Sequence, residues 1–538
     1  AYDLANPTVD SSLGFANVRV GSTANLKIAN TTVTSTSYQD SLDVTSATSN
    51  AKLTLGAVAN IGAGVDRNLV VTAATAGDLA ATLTLGLTSN ANNISGLSDV
   101  ALTAKTVTVT GAAYDLANPT AASTLALGNV RVQSQNNLTV TNAVRTAAAY
   151  QDNLGVAATS SDVGVLTVVN PASIGAGQSG NVVLNAVRAG LLDGTSITLA
   201  LDSRALAGTG LVDQALADKS VAVTGAAYNY AAASVAPAVS FGNVRVGATK
   251  TLAVTNTAQG DVGYQDALAV TVNASGNAAL GAVATASIAA GQSGVVTYSV
   301  NASGNLAGTT SLGFTSTALA GTGLTDLQLT GASVAVTGTA YDFASAAFAN
   351  NSTFAFGNVR VGSTVAAKNL AFTNTQVAAD AAYQDTLTVA ATATNAKLSA
   401  TGFTGLAAGA SANLAIGVDT ATAGSLAGTV NTVHTSVAAA GTGLANLGLG
   451  GGAATVTGAV YDFAKPTYAS AIAFGNLRAG AGTVARDLAV GNAVVTSATY
   501  QDSLDVTAAV TAGALSVTGP TNVLAGASRS EEHTSELQ

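Results

Sequence analysis

The chain has 538 residues, too many for one domain at the usual ~100–200 residues each, so several domains are expected. Hydrophobic residues make up 48% and charged residues 9%, with no Cys, Met or Trp, a profile that argues against disorder and against most enzymes. The formal charge of −9 gives no footprint for nucleic acid or an anionic membrane, and zero Cys removes disulfides, thiolate nucleophiles and thiolate metal sites.

The chain starts at Ala1-Tyr2-Asp3, with no initiator Met, basic region or apolar signal core, and reads as a fragment at both ends. Any signal or anchor would lie outside it. The Tyr-Asp or Tyr-Asn step at Tyr2 recurs at Tyr114, Tyr228, Tyr341 and Tyr461. A second marker keeps the same interval: Phe15-Ala-Asn-Val-Arg19, Leu127-Gly-Asn-Val-Arg131, Phe241-Gly-Asn-Val-Arg245, Phe356-Gly-Asn-Val-Arg360 and Phe474-Gly-Asn-Leu-Arg478. A third is Tyr-Gln-Asp, at Tyr38-Gln39-Asp40, Tyr150-Gln151-Asp152, Tyr264-Gln265-Asp266, Tyr383-Gln384-Asp385 and Tyr500-Gln501-Asp502. A period near 113 residues exceeds the 20–50 of a solenoid unit, so each repeat should be a domain.

Within a repeat the apolar pattern alternates and is β-branched, as in Thr106-Val-Thr-Val-Thr110 and Val221-Ala-Val-Thr224, which predicts strands. Turn signals such as Gly175-Ala-Gly-Gln-Ser-Gly180 and Gly208-Thr-Gly210 separate them at intervals that suit a sandwich of about seven short strands. No amphipathic helix pattern competes. No run of about 20 apolar residues predicts a membrane span.

The order Phe-Gly-Asn-Val-Arg-Val-Gly, a strand ending Val-Thr-Asn, Ala-Gly-Gln-Ser, and a last strand ending Val-Thr-Gly resembles bacterial choice-of-anchor D repeats. The resemblance implies immunoglobulin-like sandwiches of the abnormal-spindle and hydin type, in secreted or surface-displayed proteins and without catalysis. The expected fold is all-β, with tandem immunoglobulin-like repeats at 1–111, 112–225, 226–338 and 339–458, a truncated fifth at 459–528, and an extended rod overall. With strands of about 20 Å plus end loops, each sandwich would be roughly 35 Å long. Residues 529–538 hold all three Glu of the chain and resemble a translated sequencing adapter, so they are set apart as a non-native tail with no packing partner.

Candidate chemistry is sparse. Outside the tail His434 is the only histidine, which leaves a Ser-His-Asp site or a zinc site without its ligands. The carboxylate pairs Asp40/Asp43 and Asp502/Asp505 have Gly155, Ala269 and Thr388 at the second position in the other repeats, which favours a solvated loop charge over glycosidase chemistry. No stretch resembles a calcium loop, and no cofactor is expected.

Tyr-Gln-Asp is the distinctive polar motif. Its structural reading is a loop fastener, with the ring on the sandwich edge, the hydroxyl on backbone and the Asp capping turn amides. Its functional reading is a ligand-facing aromatic and carboxylate in every module. The recurrent Arg is expected to pair with Asp40, Asp3 or their equivalents, within a domain or across a joint, at ~0–1 kcal/mol if exposed. Three readings follow: a surface stalk or spacer, an adhesin whose loops bind a surface glycan or protein, and the non-catalytic part of a larger extracellular enzyme. The first is preferred, because repetition without chemistry needs no ligand.

Overall fold

A computed structural model describes every residue except 95, 479, 481, 512, 514 and 536–538, and the side chains of 531–535 are likewise left aside. The first repeat shows how the alternation builds layers. Strand β9 (Ala81–Asn90) turns Leu83, Leu85, Leu87 and finally Ser89 inward, while Thr82 and Thr84 face out. Strand β10 (Val100–Tyr114) does the same with Val107 and Val109.

Ten strands form two sheets in this repeat. The four-stranded sheet has the order β1 (Pro7–Val9), β3 (Thr23–Asn30), β7 (Val65–Ala73), β5 (Leu53–Leu55). The other runs β2 (Ser12–Arg19), β10, β9, β4 (Ser41–Thr48), β6 (Val58–Ile61), with β8 (Gly77–Asp78) also on β10. Between them lie Leu26, Ile28, Leu42, Leu69, Val71 and their neighbours, all fully buried, each worth about 1.5–3 kcal/mol of transfer free energy. The next three repeats each have a four-stranded and a six-stranded sheet around separate cores. The fold is all-β, built of tandem immunoglobulin-like sandwiches, and the helical residues described are five short 3-10 turns. The sequence suggests about seven strands per repeat; the extra ones are short pairings of two to four residues, such as Gly190–Leu191 and Pro7–Val9, too short to carry an alternation.

β2 and β10 pair in parallel, with Arg19 opposite Tyr114, and the register slips between Thr110 and Ala112. In the second repeat the equivalent slip follows Ala126, and Gly225 sits opposite Gly128 at φ 130°. A Cβ there would press on the carbonyl of Gly128, so glycine closes the Val-Thr-Gly strand for a steric reason.

The fifth repeat has one four-stranded sheet among the described residues, Pro466–Tyr468, Val484–Asn492, Ser528–Ser535 and Leu515–Ser516 in spatial order. This corrects the expectation of an unpartnered tail, because the backbone through Ser535 pairs with Val484–Asn492, as β7 pairs with β3 in the first repeat. Backbone hydrogen bonds ask little of side-chain identity, so the edge of Val484–Asn492 sets few demands on the segment that pairs with it. Leu537 lies outside the described residues.

Candidate functional site: a joint repeated along the chain

Each Tyr-Gln-Asp segment starts on a 3-10 turn, Ala148–Tyr150 in the second repeat. Gln151 is fully buried, and its amide ties the loop: Nε2 donates to Ala143 O at 2.8 Å and to Asn142 Oδ1 at 2.8 Å, while Oε1 accepts from Arg145 N at 2.7 Å. Asn142, last residue of its strand and also fully buried, is the hub. Its Nδ2 donates to Asp152 O and Ile174 O, and its Oδ1 also accepts from Asn118 N. Asn30 with Gln39, Asn256 with Gln265, Asn374 with Gln384 and Asn492 with Gln501 make the same bond between side chains. Every polar atom of such a pair finds a partner, which is what burial of an amide requires.

The aspartates do something else. Asp152 Oδ2 accepts from Ser203 Oγ at 2.8 Å and meets Arg19 Nη1, from the preceding repeat, at 2.6 Å. Ser203 Oγ in turn accepts from Ala117 N, fixing the segment that enters the sandwich. Arg131 reaches Asp266 at 2.8 Å and Arg245 reaches Asp385 at 2.8 Å, each aspartate holding Ser316 or Ser436 in the same way. These three aspartates are fully buried, and the arginine side chains are only 11–17% exposed. The second guanidinium nitrogen donates to a backbone carbonyl of the following repeat: Val212 from Arg19, Thr325 from Arg131, Ala445 from Arg245. Asn17, Asn129 and Asn243 donate to Thr209, Thr322 and Thr442, the central residues of the Gly-Thr-Gly turns. The aromatic or apolar residue after the Tyr-Asp step completes the seat, with Tyr230 under Arg131 and Phe343 under Arg245, both at 4.4 Å. Arg360 and Asp502 pair as well, but Arg360 is 47% exposed there, and the fifth repeat has no Gly-Thr-Gly turn among its described residues.

The backbone runs straight through the joint. β10 ends at Tyr114, Asp115 N donates to Tyr150 O, and Asp152 N donates to Asp115 O, so Asp115 and Gln151 form a parallel bridge. Tyr114 and Tyr150 pack with ring centroids 5.6 Å apart, and the pairs Tyr228/Tyr264, Tyr341/Tyr383 and Tyr461/Tyr500 repeat this at 5.4–6.0 Å.

Two details of the fastener reading therefore change. No hydrogen bond joins the hydroxyls of Tyr38, Tyr150, Tyr264, Tyr383 or Tyr500 to backbone among the described residues; the rings pack instead. Asp40, Asp152, Asp266, Asp385 and Asp502 do not cap the turn. That place falls to the residue before it, as with Asp261 on Gly263 N and Asp380 on Ala382 N. The Arg–Asp pairing crosses the joint, and in the first three joints it is buried rather than exposed.

His434 is buried at 3% exposure, its Nε2 2.9 Å from Thr432 Oγ1 and its ring against Phe348 and Phe372. Burial holds its pKa below the ordinary imidazole value, which keeps it a neutral core residue. Asp43 spends its carboxylate on Asn60 N and Asn90 Nδ2 within its own sandwich. Among the described residues no group of three or more His, Asp or Glu is placed to hold a metal ion, and no helix is long and apolar enough to cross a membrane.

No family model matches the chain, and no curated protein matches it either. Solved structures similar to it include the titin I-band fragment I67-I69, at 9% identity and a TM-score of 0.27, over 63% of this chain and 99% of that one. Protocadherin Gamma B2 extracellular cadherin domains 1-5 are similar at 10% identity and 0.33, over 84% and 81%. Surface layer protein SbsC, domains 4-9, is similar at 15% and 0.17, over 85% and 66%. At these identities and TM-scores the likeness says nothing of activity, ligand or partner.

Proposed function

We propose that this chain is a non-catalytic structural repeat region, a stalk or spacer in a secreted or surface-displayed bacterial protein. The observation that carries it is the joint. The distinctive polar residues, Arg of Asn-Val-Arg and Asp of Tyr-Gln-Asp, are spent on each other between consecutive sandwiches, three times over with nearly the same geometry. A motif kept for ligand capture would present its carboxylate to solvent; Asp152, Asp266 and Asp385 are fully buried. Kinship with choice-of-anchor D repeats belongs to the same reading and rests on the order of the sequence markers, and the extracellular location follows from that kinship.

Fixed joints make shape the testable property. Small-angle scattering on the full chain should give a radius of gyration of about 45 Å, as for a rod of four to five modules of about 35 Å, where a compact globule of this length would give about 24 Å. A compact particle would refute the stalk reading.

A further inference from the structure

The first sandwich carries the buried aspartate of the same joint's receiving half. Asp40 is buried at 4% exposure and accepts from Ser89 Oγ at 2.7 Å, as Asp152 does from Ser203. Unlike Asp152, Asp266 and Asp385, Asp40 has no cation paired with it among the described residues. Ala91 N donates to Asp99 as Ala205 N donates to Asp213, so Ser98 holds the chain position of Val212, whose carbonyl accepts from Arg19. Leu4 stands at the position of Tyr230 and Phe343 and is 47% exposed. Tyr2 and Tyr38 pack together at 5.6 Å like the other pairs, yet are 42% and 57% exposed, where Tyr114 and Tyr150 are half-buried.

A buried carboxylate without a cation is costly, and an exposed aromatic and apolar rim around it is a surface that water serves poorly. We propose that this N-terminal face binds the Asn-Val-Arg edge of a further immunoglobulin-like repeat of this kind, whose guanidinium would take Asp40 and the carbonyl of Ser98, over Leu4. Charge and shape both select that occupant, since the equivalent groups in the next three repeats bind such an edge. The inference concerns this docking face alone and stands whether or not the chain serves as a stalk.

Tyrosine nitration by tetranitromethane, read by mass spectrometry, tests it. In the full chain Tyr38 should react several-fold faster than Tyr150. Joining a copy of residues 226–340 ahead of Tyr2 recreates the Ala340–Tyr341 junction, and Tyr38 should slow to the rate of Tyr150. Arg245→Gln in the added copy should return it towards the unfused rate. The same fusion with residues 112–227, and Arg131→Gln in that copy, is a second variant. A Tyr38 rate that neither fusion alters, or that slows regardless of the arginine, would overturn the proposal. So would a slow Tyr38 in the unfused chain accompanied by a dimer in sedimentation, since a second copy of this chain would then occupy the face.

Discussion

Arg131 of the second repeat and Asp266 of the third meet at 2.8 Å, with the aspartate fully buried and the arginine 11% exposed. Breaking a buried pair by removing one partner leaves the other charge uncompensated, at about 3–5 kcal/mol, far above a surface pair. Arg131→Ala should therefore loosen the second joint strongly, and the double variant Arg131→Ala/Asp266→Ala should lose less than the sum of the singles. Arg131→Lys should rescue little, because one ammonium cannot serve both Asp266 and the carbonyl of Thr325. Denaturant unfolding of the three variants in a double-mutant cycle measures this; additive losses would argue against direct coupling.

Within a repeat, the amide of Gln151 is predicted to fasten the loop. Gln151→Ala takes the side-chain partner from Arg145 N and from the carbonyl of Ala143 at one stroke and should cost on the order of 1–3 kcal/mol. Amide hydrogen exchange around residues 143–152 should speed up accordingly, and Gln151→Glu should lose at least as much as Gln151→Ala, because it sets a buried carboxylate oxygen against Asn142 Oδ1 and Ala143 O.

Much of this was legible in the sequence, and the limits are physical. Alternation located the strands, and the fixed order of markers located the repeats. The Arg–Asp pairing was visible as two residue types at one period, but a period does not state burial, so the pair was valued as a surface contact. Asn142 and Ser203 were missed for a different reason. Asn at a strand end and Ser on an inward position are ordinary in a chain rich in both, although Asn30, Asn142, Asn256 and Asn492 each precede the Tyr of Tyr-Gln-Asp by eight residues. The Asp was misassigned as a turn cap because a local partner is the default for a loop aspartate, while its actual partner lies in the preceding repeat.

The pH dependence of the fourth sandwich should trace to His434. Burial lowers its folded pKa below the unfolded value of 6.5, so stability is fully present above that value. It falls as pH drops through 6.5 towards the folded pKa, because the unfolded chain then binds the proton more readily. His434→Leu, the residue found at the equivalent Leu87 and Leu201, should flatten this dependence. Hydrogen exchange of Gly428–Val437 at pH 8 and pH 5 reads it, and an equal acid loss in the variant would contradict the assignment.

One sandwich should fold alone, since its core of Leu138, Val140, Leu154, Val182, Leu184 and Ile197 is built within one repeat. Residues 112–228 should show a single cooperative denaturant transition, weaker than in the full chain by the loss of both joints. A molten product rescued only by neighbouring repeats would refute independent folding.

The central claim is that the Arg–Asp joint fixes one sandwich on the next. The chain has no Cys, so Val163→Cys and Val283→Cys, at sites 69% and 72% exposed, place one spin label on each of two adjacent repeats without background. Electron double resonance between them should give one narrow distance distribution in the native joint, and Arg131→Ala should broaden it. A broad distribution in the native chain, or a narrow one indifferent to Arg131→Ala, would contradict the account.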